Sequence, residues 1–167
     1  MHEIVTEIDL PASAARVWAA LTDFASYRKW NPVIESIDGS LSQGGQLRLK
    51  LRPEAFRRLS LGPAGALEMF AFRTWCMLNG MRIAVRVTKL LPERELRWAG
   101  GFTIPKLLEA EHFFLATERR DGGVRFLQGE RYAGLLEPAF REAMEAFNRH
   151  GMTAVNQALK RHLEAPF

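Results

Sequence analysis

The sequence contains very little cysteine and no long apolar run. Cys76 is the single cysteine among 167 residues, which excludes an intramolecular disulfide and any disulfide-based scaffold. No stretch reaches the roughly 18 uninterrupted apolar residues that cross a bilayer as a helix. Residues 1–3 are not a basic segment followed by an apolar block, so we expect no signal peptide. Together these absences predict a protein of the reducing cytoplasm.

Concentrated charge is also missing. Basic residues outnumber acidic ones by 23 to 19, a net charge of +4, yet no run of basic residues is longer than two. Nucleic-acid-binding proteins more often gather basic residues into a patch or along a helix, so we expect no nucleic-acid partner. No spacing of His, Cys, Asp and Glu resembles a metal site, and no glycine pair has the flanks of a phosphate loop. We therefore expect neither a metal nor a cofactor.

Alternating apolar and polar residues dominate the chain and predict an antiparallel sheet with one face on a core. The predicted strands cover residues 3–10, 33–40, 46–52, 82–90, 95–102, 109–119 and 124–134. Two short helices follow the first strand, the first capped by Ser13 and the second ended by Pro32. A helical stripe of apolar residues predicts one long helix from Pro138 to Leu163. The predicted fold is α+β, a curved sheet wrapped around that helix, with space for a pocket between them.

Several segments resemble the SRPBCC superfamily, which holds START-like lipid-transfer domains and polyketide cyclase/dehydrase-like proteins. The segments are Ala-Arg-Val-Trp-Ala-Ala-Leu-Thr-Asp at 15–23, Tyr-Arg-Lys-Trp-Asn-Pro at 27–32, Leu-Arg-Trp at 96–98, His-Phe-Phe at 112–114 and Gln-Gly-Glu-Arg-Tyr-Ala-Gly-Leu-Leu at 128–136. The resemblance covers about residues 3–52 and 81–163. It implies a helix-grip fold with a hydrophobic cavity, and it carries over no catalytic motif.

The chain departs from the family pattern at residues 53–80, so we predict a single domain over 1–167 with one inserted segment. Residues 53–61 are interpreted as a short helix with Phe56 and Leu59 inward, and 62–65 as a loop. Asn79-Gly80 is either a helix C-cap or a type I′ hairpin turn. We favour the turn, which makes residues 70–78 an extra strand, because Asn-Gly is a strong hairpin signal and several residues before it prefer strands.

A polar cluster is predicted on the apolar inner face of the sheet. A loop at residues 121–123 would set Phe114 opposite Glu130 and His112 opposite Tyr132. Gln128 would share that face. In one interpretation the cluster binds the polar end of a ligand, or carries out acid–base chemistry through His112 and Glu130. In the other its members hydrogen-bond one another and only hold the end of the sheet in register.

The predicted ligand-binding residues are those that strand alternation and the helical stripe turn toward the pocket. They are Trp30, Leu49, Val85, Trp98, His112, Phe114, Gln128, Glu130, Tyr132, Phe147 and Gly151. Phe102 is also expected to point inward. Gly151 marks either a kink in the long helix or a place where a ligand approaches the backbone.

Three functions are compatible with these features. The first is binding, with transport as its extension, of a small hydrophobic molecule such as a lipid or a polyketide. The second is a cyclase or aromatase with His112 and Glu130 as the acid–base candidates. The third is contact with a membrane surface or a second copy of the chain through residues 66–78, an apolar segment with a basic collar. The collar residues are Arg57, Arg58, Arg73 and Arg82. We favour the first and leave open whether the protein is an enzyme.

Overall fold

The alternating segments form a single antiparallel sheet in the computed structural model, which describes residues 1–56, 61, 63–101 and 106–165. Its strands are β1 (His2–Leu10), β2 (Ile34–Gly39), β3 (Gln46–Leu51), β4 (Arg82–Leu91), β5 (Glu95–Gly101), β6 (Glu109–Glu118) and β7 (Val124–Ala133). The spatial order of these seven described strands is β1-β7-β6-β5-β4-β3-β2. Register shifts interrupt the β2–β3 and β4–β5 ladders, and such bulges bend a sheet. The inner face is therefore concave.

The concave face closes on a long C-terminal helix. Helix α4 (Glu137–Glu164), the last of the four α-helices in the described part of the chain, has Pro138 in its first turn, where a missing N–H costs nothing. It turns its apolar stripe, including Phe147 and Leu159, to the sheet. Strands and helix thus bury each other's apolar surfaces, and the predicted α+β helix-grip fold is confirmed.

Two short helices follow β1 and close one end of the sheet. Helix α1 (Ala14–Thr22) begins at Ser13, whose hydroxyl accepts a hydrogen bond from the backbone N–H of Arg16. A 3₁₀ turn (Phe24–Ser26) leads into α2 (Tyr27–Trp30), which ends at Asn31. The side-chain oxygen of Asn31 accepts hydrogen bonds from the backbone N–H groups of Val33 and Ile34, at 2.9 and 2.8 Å, so it shapes the turn into β2.

The predicted insertion is helical over Pro63–Leu78, and the prediction of an extra strand at residues 70–78 was wrong. Helix α3 (Pro63–Leu78) is followed by Gly80 at φ +61°. The N–H of Gly80 bonds to the carbonyl of Met77, and the N–H of Met81 bonds to that of Cys76. This is a Schellman C-cap, so Asn79-Gly80 ends a helix and does not form a hairpin turn. Apolar residues on all sides had left no helical period to read.

The start of the insertion also differs from the prediction. A 3₁₀ turn (Pro53–Phe56) buries Phe56, as expected for the short helix. The loop predicted over 62–65 was wrong for residues 63–65, because they form the first turn of α3. The predictions for Leu59, for Phe102 and for the collar residues Arg57 and Arg58 lie outside the described residues.

The β6–β7 pairing is shifted by two residues from the predicted register. His112 faces Glu130 and Phe114 faces Gln128. The shift arises at the turn, where the N–H of Arg119 bonds to the carbonyl of Gly123. A loop of residues 121–123 would have placed residues 120 and 124 opposite each other. Each of the two residues that close the turn therefore lies one position earlier in the chain than expected. Because a shift of two keeps every side chain on its face, the predicted inner face survives.

Helix α3 lies against the first half of α4. The carboxylate of Glu68 accepts a hydrogen bond from the backbone N–H of Ala143 at 3.0 Å. Phe72 and Phe56 pack on Phe147 with ring centroids 5.7 and 4.9 Å apart. Cys76 is fully buried, and this burial raises the pKa of its thiol to about 12. None of the helices in the described part of the chain is long and apolar enough to span a membrane.

Candidate functional site

A cavity of about 170 Å³ lies between the concave face of the sheet and the helices. The sheet contributes its inward residues from β3 to β7, and α4 contributes the stripe around Gly151. Helix α2 closes one side with Trp30, and α3 closes another with Phe72 and Trp75. Most of the lining is aliphatic or aromatic, as expected where an apolar sheet face and an apolar helix stripe meet without filling the space between them.

All eleven residues predicted to bind a ligand lie in the wall of this cavity. The set is Trp30, Leu49, Val85, Trp98, His112, Phe114, Gln128, Glu130, Tyr132, Phe147 and Gly151. The structure thus brings together residues from α2, five strands and α4. That they hold a ligand stays a prediction.

Three polar side chains form a hydrogen-bonded chain in this wall. His112 Nδ1 lies 2.8 Å from Glu130 Oε2, and His112 Nε2 lies 3.0 Å from the amide nitrogen of Gln128. An amide nitrogen can only donate, so His112 Nε2 accepts and carries no proton. The ring proton is then on Nδ1 and is donated to the Glu130 carboxylate. The contact with Glu130 thus fixes the orientation and the tautomer of the imidazole.

Strand pairing and aromatic packing hold this chain in place. His112 and Glu130 are directly opposite each other on β6 and β7, and Gln128 is the next inward residue of β7. The imidazole stacks on Trp98 with ring centroids 5.8 Å apart and an interplanar angle of 17°. Phe114 also packs against the imidazole, with ring centroids 4.7 Å apart. The side chains of His112 and Glu130 are only 14% and 16% exposed, so the group is largely shielded from water.

Gln128 has one polar atom without a partner. The residue is 4% exposed, and its Oε1 atom is buried with no hydrogen-bond partner among the described residues. A buried acceptor left unpaired costs about 1–3 kcal/mol, so such atoms usually have a role or an occupant. Gln128 is one of the residues that line the cavity.

A second polar pair sits further along β7. The Asn148 side-chain amide donates to the hydroxyl of Tyr132 and to the carbonyl of Met144. Burial, and then the nearby negative charge of Glu130, raise the pKa of Tyr132 well above its ordinary value, so this phenol stays protonated. Sequence reasoning missed Asn148, although its spacing of three from Gly151 places it on the same helix face.

Other wall residues were also missed or left open. Asn31 lines the cavity while shaping its turn, and Phe72 and Trp75 of helix α3 enter the wall. Gly151 lies in the wall, and α4 continues through it as helix. A Cβ on Gly151 would come within 3.3 Å of Val33 Cγ2, so the missing side chain allows a close approach of helix and loop. In the part of the chain that the structure describes, no three potential metal ligands cluster.

Comparisons with known proteins give a family and a fold. A family model described as "Polyketide cyclase / dehydrase and lipid transport" matches residues 1–164. A search of curated proteins finds no match. Among solved structures, the Zhui aromatase/cyclase from Streptomyces sp. R1128 is 16% identical with a TM-score of 0.68, over 98% of this chain and 93% of that one.

Two further structures are similar over 98% of this chain. A START superfamily protein from Mycobacterium smegmatis is 14% identical, covered over 98% of its length, with a TM-score of 0.64. The di-domain ARO/CYC BexL from the BE-7585A biosynthetic pathway is 14% identical, covered over 47% of its length, with a TM-score of 0.67. At these identities the likeness is one of fold, and the function has to be argued from the cavity itself.

Proposed function

Because the chain belongs to the polyketide cyclase/dehydrase and lipid transport family, we propose that it binds and carries a small, mostly apolar molecule in the cavity between the sheet and α4. The observation that carries the proposal is the unpaired Oε1 of Gln128 in the wall of an otherwise apolar cavity. An apolar pocket with a few oriented polar groups is the usual form of a small-molecule site.

The size of the cavity sets the scale of the ligand. At about 170 Å³ it is close to cavities of roughly 150 Å³ that bind benzene in other proteins. A single substituted ring fits this space, and a longer chain needs α3 to move outward. Trp98 lines the cavity from the sheet and Phe147 lines it from α4.

The polar end of the ligand is proposed to be a hydrogen-bond donor. Gln128 Oε1 can only accept, so a hydroxyl or an N–H is its natural partner. The amide of Gln128 is held by His112, and His112 is held by Glu130, so the acceptor is fixed before a ligand arrives. Such preorganisation reduces the entropy that binding costs.

Calorimetry with a matched pair of ligands tests this. We expect 4-ethylphenol to bind more tightly than ethylbenzene, by about twofold to tenfold, which is the net worth of one hydrogen bond. Gln128→Met keeps the length of the side chain and removes the acceptor. It should abolish that preference and preserve binding of ethylbenzene.

Gln43→Met is the control for this substitution. Gln43 bonds to the carbonyl of Thr88 at an exposed site and does not line the cavity, so the preference for the phenol should stay. Absence of binding by either ring compound, or an equal preference in the wild type and Gln128→Met, would refute the proposal.

A cyclase-type enzyme is the second candidate, supported by the 2.8 Å contact of His112 with Glu130 inside the cavity. Proton abstraction from a carbon between two carbonyls needs a base with a free lone pair, and Nε2 of the neutral imidazole provides one once Gln128 is displaced. The Glu130 carboxylate would stabilise the imidazolium that forms. The carbanion would then attack a second carbonyl of the same chain and close a ring, and the imidazolium would return its proton to the resulting alkoxide. Loss of that hydroxyl as water, followed by enolisation of the remaining carbonyls, would give an aromatic ring.

The two candidates separate on variants of this pair. With a short poly-β-ketone thioester as the probe, an enzyme should lose turnover in His112→Ala and in Glu130→Gln, and both should still bind the probe. A binding protein should show no turnover in the wild type. Spectroscopic detection of an aromatic product distinguishes these outcomes.

A further inference from the structure

The surface of α3 that faces away from the protein is apolar. Six of its exposed residues recur at helical spacing and form what we term the outer stripe: Leu67, Phe70, Ala71, Thr74, Met77 and Leu78. The four large side chains among them, Leu67, Phe70, Met77 and Leu78, are 60–83% exposed. Single exposed apolar residues are common in proteins, whereas a continuous exposed stripe marks a contact surface.

The opposite side of the same helix forms part of the cavity wall. Phe72 and Trp75 line the cavity, and Met69 and Cys76 anchor the helix in the core beneath. Helix α3 is thus one layer of protein between the cavity and the surroundings. An apolar medium in contact with the outer stripe would be separated from the proposed ligand site by this helix alone.

We propose that the outer stripe is a lipid-docking surface, on which α3 lies in the interface of an anionic membrane. The purpose of this contact rests on the proposed carriage of an apolar ligand, since a carrier has to exchange its cargo with an apolar phase. The docking itself depends only on the stripe and its surrounding charge.

The extent of the surface favours a membrane over a second copy of the chain. A stable protein–protein interface takes about 20–30 residues on each side. The outer stripe has six residues on one helix of 16. An interfacial helix needs no more than such a face, immersed among the lipid headgroups.

The charges near the stripe favour an anionic lipid. Helix α3 carries only two charged side chains, Glu68 and Arg73. Glu68 is turned to α4, where it bonds to Ala143, and Arg73 is exposed. Arg82 is exposed just beyond the C-cap. The net charge of the whole chain is +4, which also favours approach to a negative surface.

Co-sedimentation with phosphatidylcholine vesicles that contain phosphatidylglycerol tests the proposal. The wild type should sediment with the vesicles, and Phe70→Glu should lower its affinity by at least about tenfold, because a ring leaves the interface and a negative charge enters it. Phe70 is 69% exposed, so the variant is expected to fold normally, which circular dichroism checks.

Leu91→Glu is the matched control. Leu91 is a 44% exposed apolar residue at the far end of β4, roughly 30 Å along the strand from the end of α3. Its vesicle affinity should equal that of the wild type. Equal losses in Phe70→Glu and Leu91→Glu would mean that general hydrophobicity, not the stripe, drives sedimentation, and would overturn the proposal.

Two further results would overturn it. One is a wild-type chain that stays in the supernatant. The other is a dimer in analytical ultracentrifugation that Phe70→Glu dissociates, since a second copy would then cover the stripe. Binding of 4-ethylphenol by Phe70→Glu without vesicles separates the two proposals: a variant that binds the phenol and not the vesicles shows that the cavity works while docking is lost.

Discussion

Helices α3 and α4 both cover the cavity, but they differ in what they present to the outside. The exposed side of α4 is charged, and ion pairs run along it from Arg141 to Glu137 and from Arg149 to Glu145. The exposed side of α3 is the apolar outer stripe. Packing on the sheet buries the apolar stripe of α4, whereas α3 keeps a second apolar surface that the fold leaves exposed.

This difference separates a structural helix from one that is available for contact. The stripe of α4 is buried along its length, from Ala143 to Leu163, so the helix is tied to the core of the fold. Helix α3 is anchored at Met69 and Cys76 and by the bond from Ala143 to Glu68. An element with fewer buried anchors opens at lower cost than the core does.

The largest loss of stability is expected from shortening a buried apolar side chain of α4. Leu159→Ala removes a side chain that is fully buried between helix and sheet. We expect the free energy of unfolding to fall by about 2–5 kcal/mol. Urea denaturation measures it, with Arg161→Ala on the exposed side as the control. A loss of less than about 1 kcal/mol would contradict the view that α4 holds the core together.

An intermediate effect is expected at the C-cap of α3. Gly80 has φ +61°, and an alanine there is strained, so Gly80→Ala should cost about 1 kcal/mol. The cost should appear as faster hydrogen exchange in α3 and unchanged protection in α4. Gly44→Ala, at φ +78° in the β2–β3 turn with open space around it, carries a similar strain but should leave exchange in α3 unaltered. Equal acceleration in both helices would mean that α3 does not open by itself.

The smallest effect on stability is expected from removing an ion pair on the outer face of the sheet. Among the described residues, this face carries ion pairs, as α4 does and α3 does not. Burial opposes ionisation of Glu95, but hydrogen bonds from Lys89 and Arg97 outweigh it and lower the pKa of the carboxyl. A lowered pKa in the folded state gives stability that is present at neutral pH and is lost as the pH falls through that value.

Thermal unfolding as a function of pH measures this contribution. Below the ordinary carboxyl range, the wild type should lose up to about 1 kcal/mol more stability than Glu95→Gln does. Glu118→Gln, at the exposed end of β6, serves as the control and should follow the wild type. Parallel curves for the wild type and Glu95→Gln would contradict the role given to this ion pair.

Period and capping made the sheet and α4 predictable. Strand alternation placed the inner face correctly even where the β6–β7 register was off by two, because facing depends only on whether a shift is even or odd. Helix α3 was missed because a segment apolar on all sides shows no period. Its length was the better signal, since 16 residues suit a helix more than a strand.

The candidate site was predictable as a set of residues but not as a geometry. Alternation turned His112, Gln128 and Glu130 to one face. It could not order them into a chain that runs from Glu130 through His112 to Gln128 and leaves one amide oxygen unpaired. That order depends on the true register and on side-chain rotamers, which sequence periodicity does not encode.

A crystal soaked in 4-bromophenol tests the central claim most directly, because the anomalous signal of bromine locates the ligand independently of its fit to the density. We predict the bromine between the sheet and α4, near Trp98 and Phe147, with the phenol oxygen within hydrogen-bonding distance of Gln128 Oε1. Bromine on the outer surface of α3 with an empty cavity, or a phenol oriented away from Gln128, would contradict it.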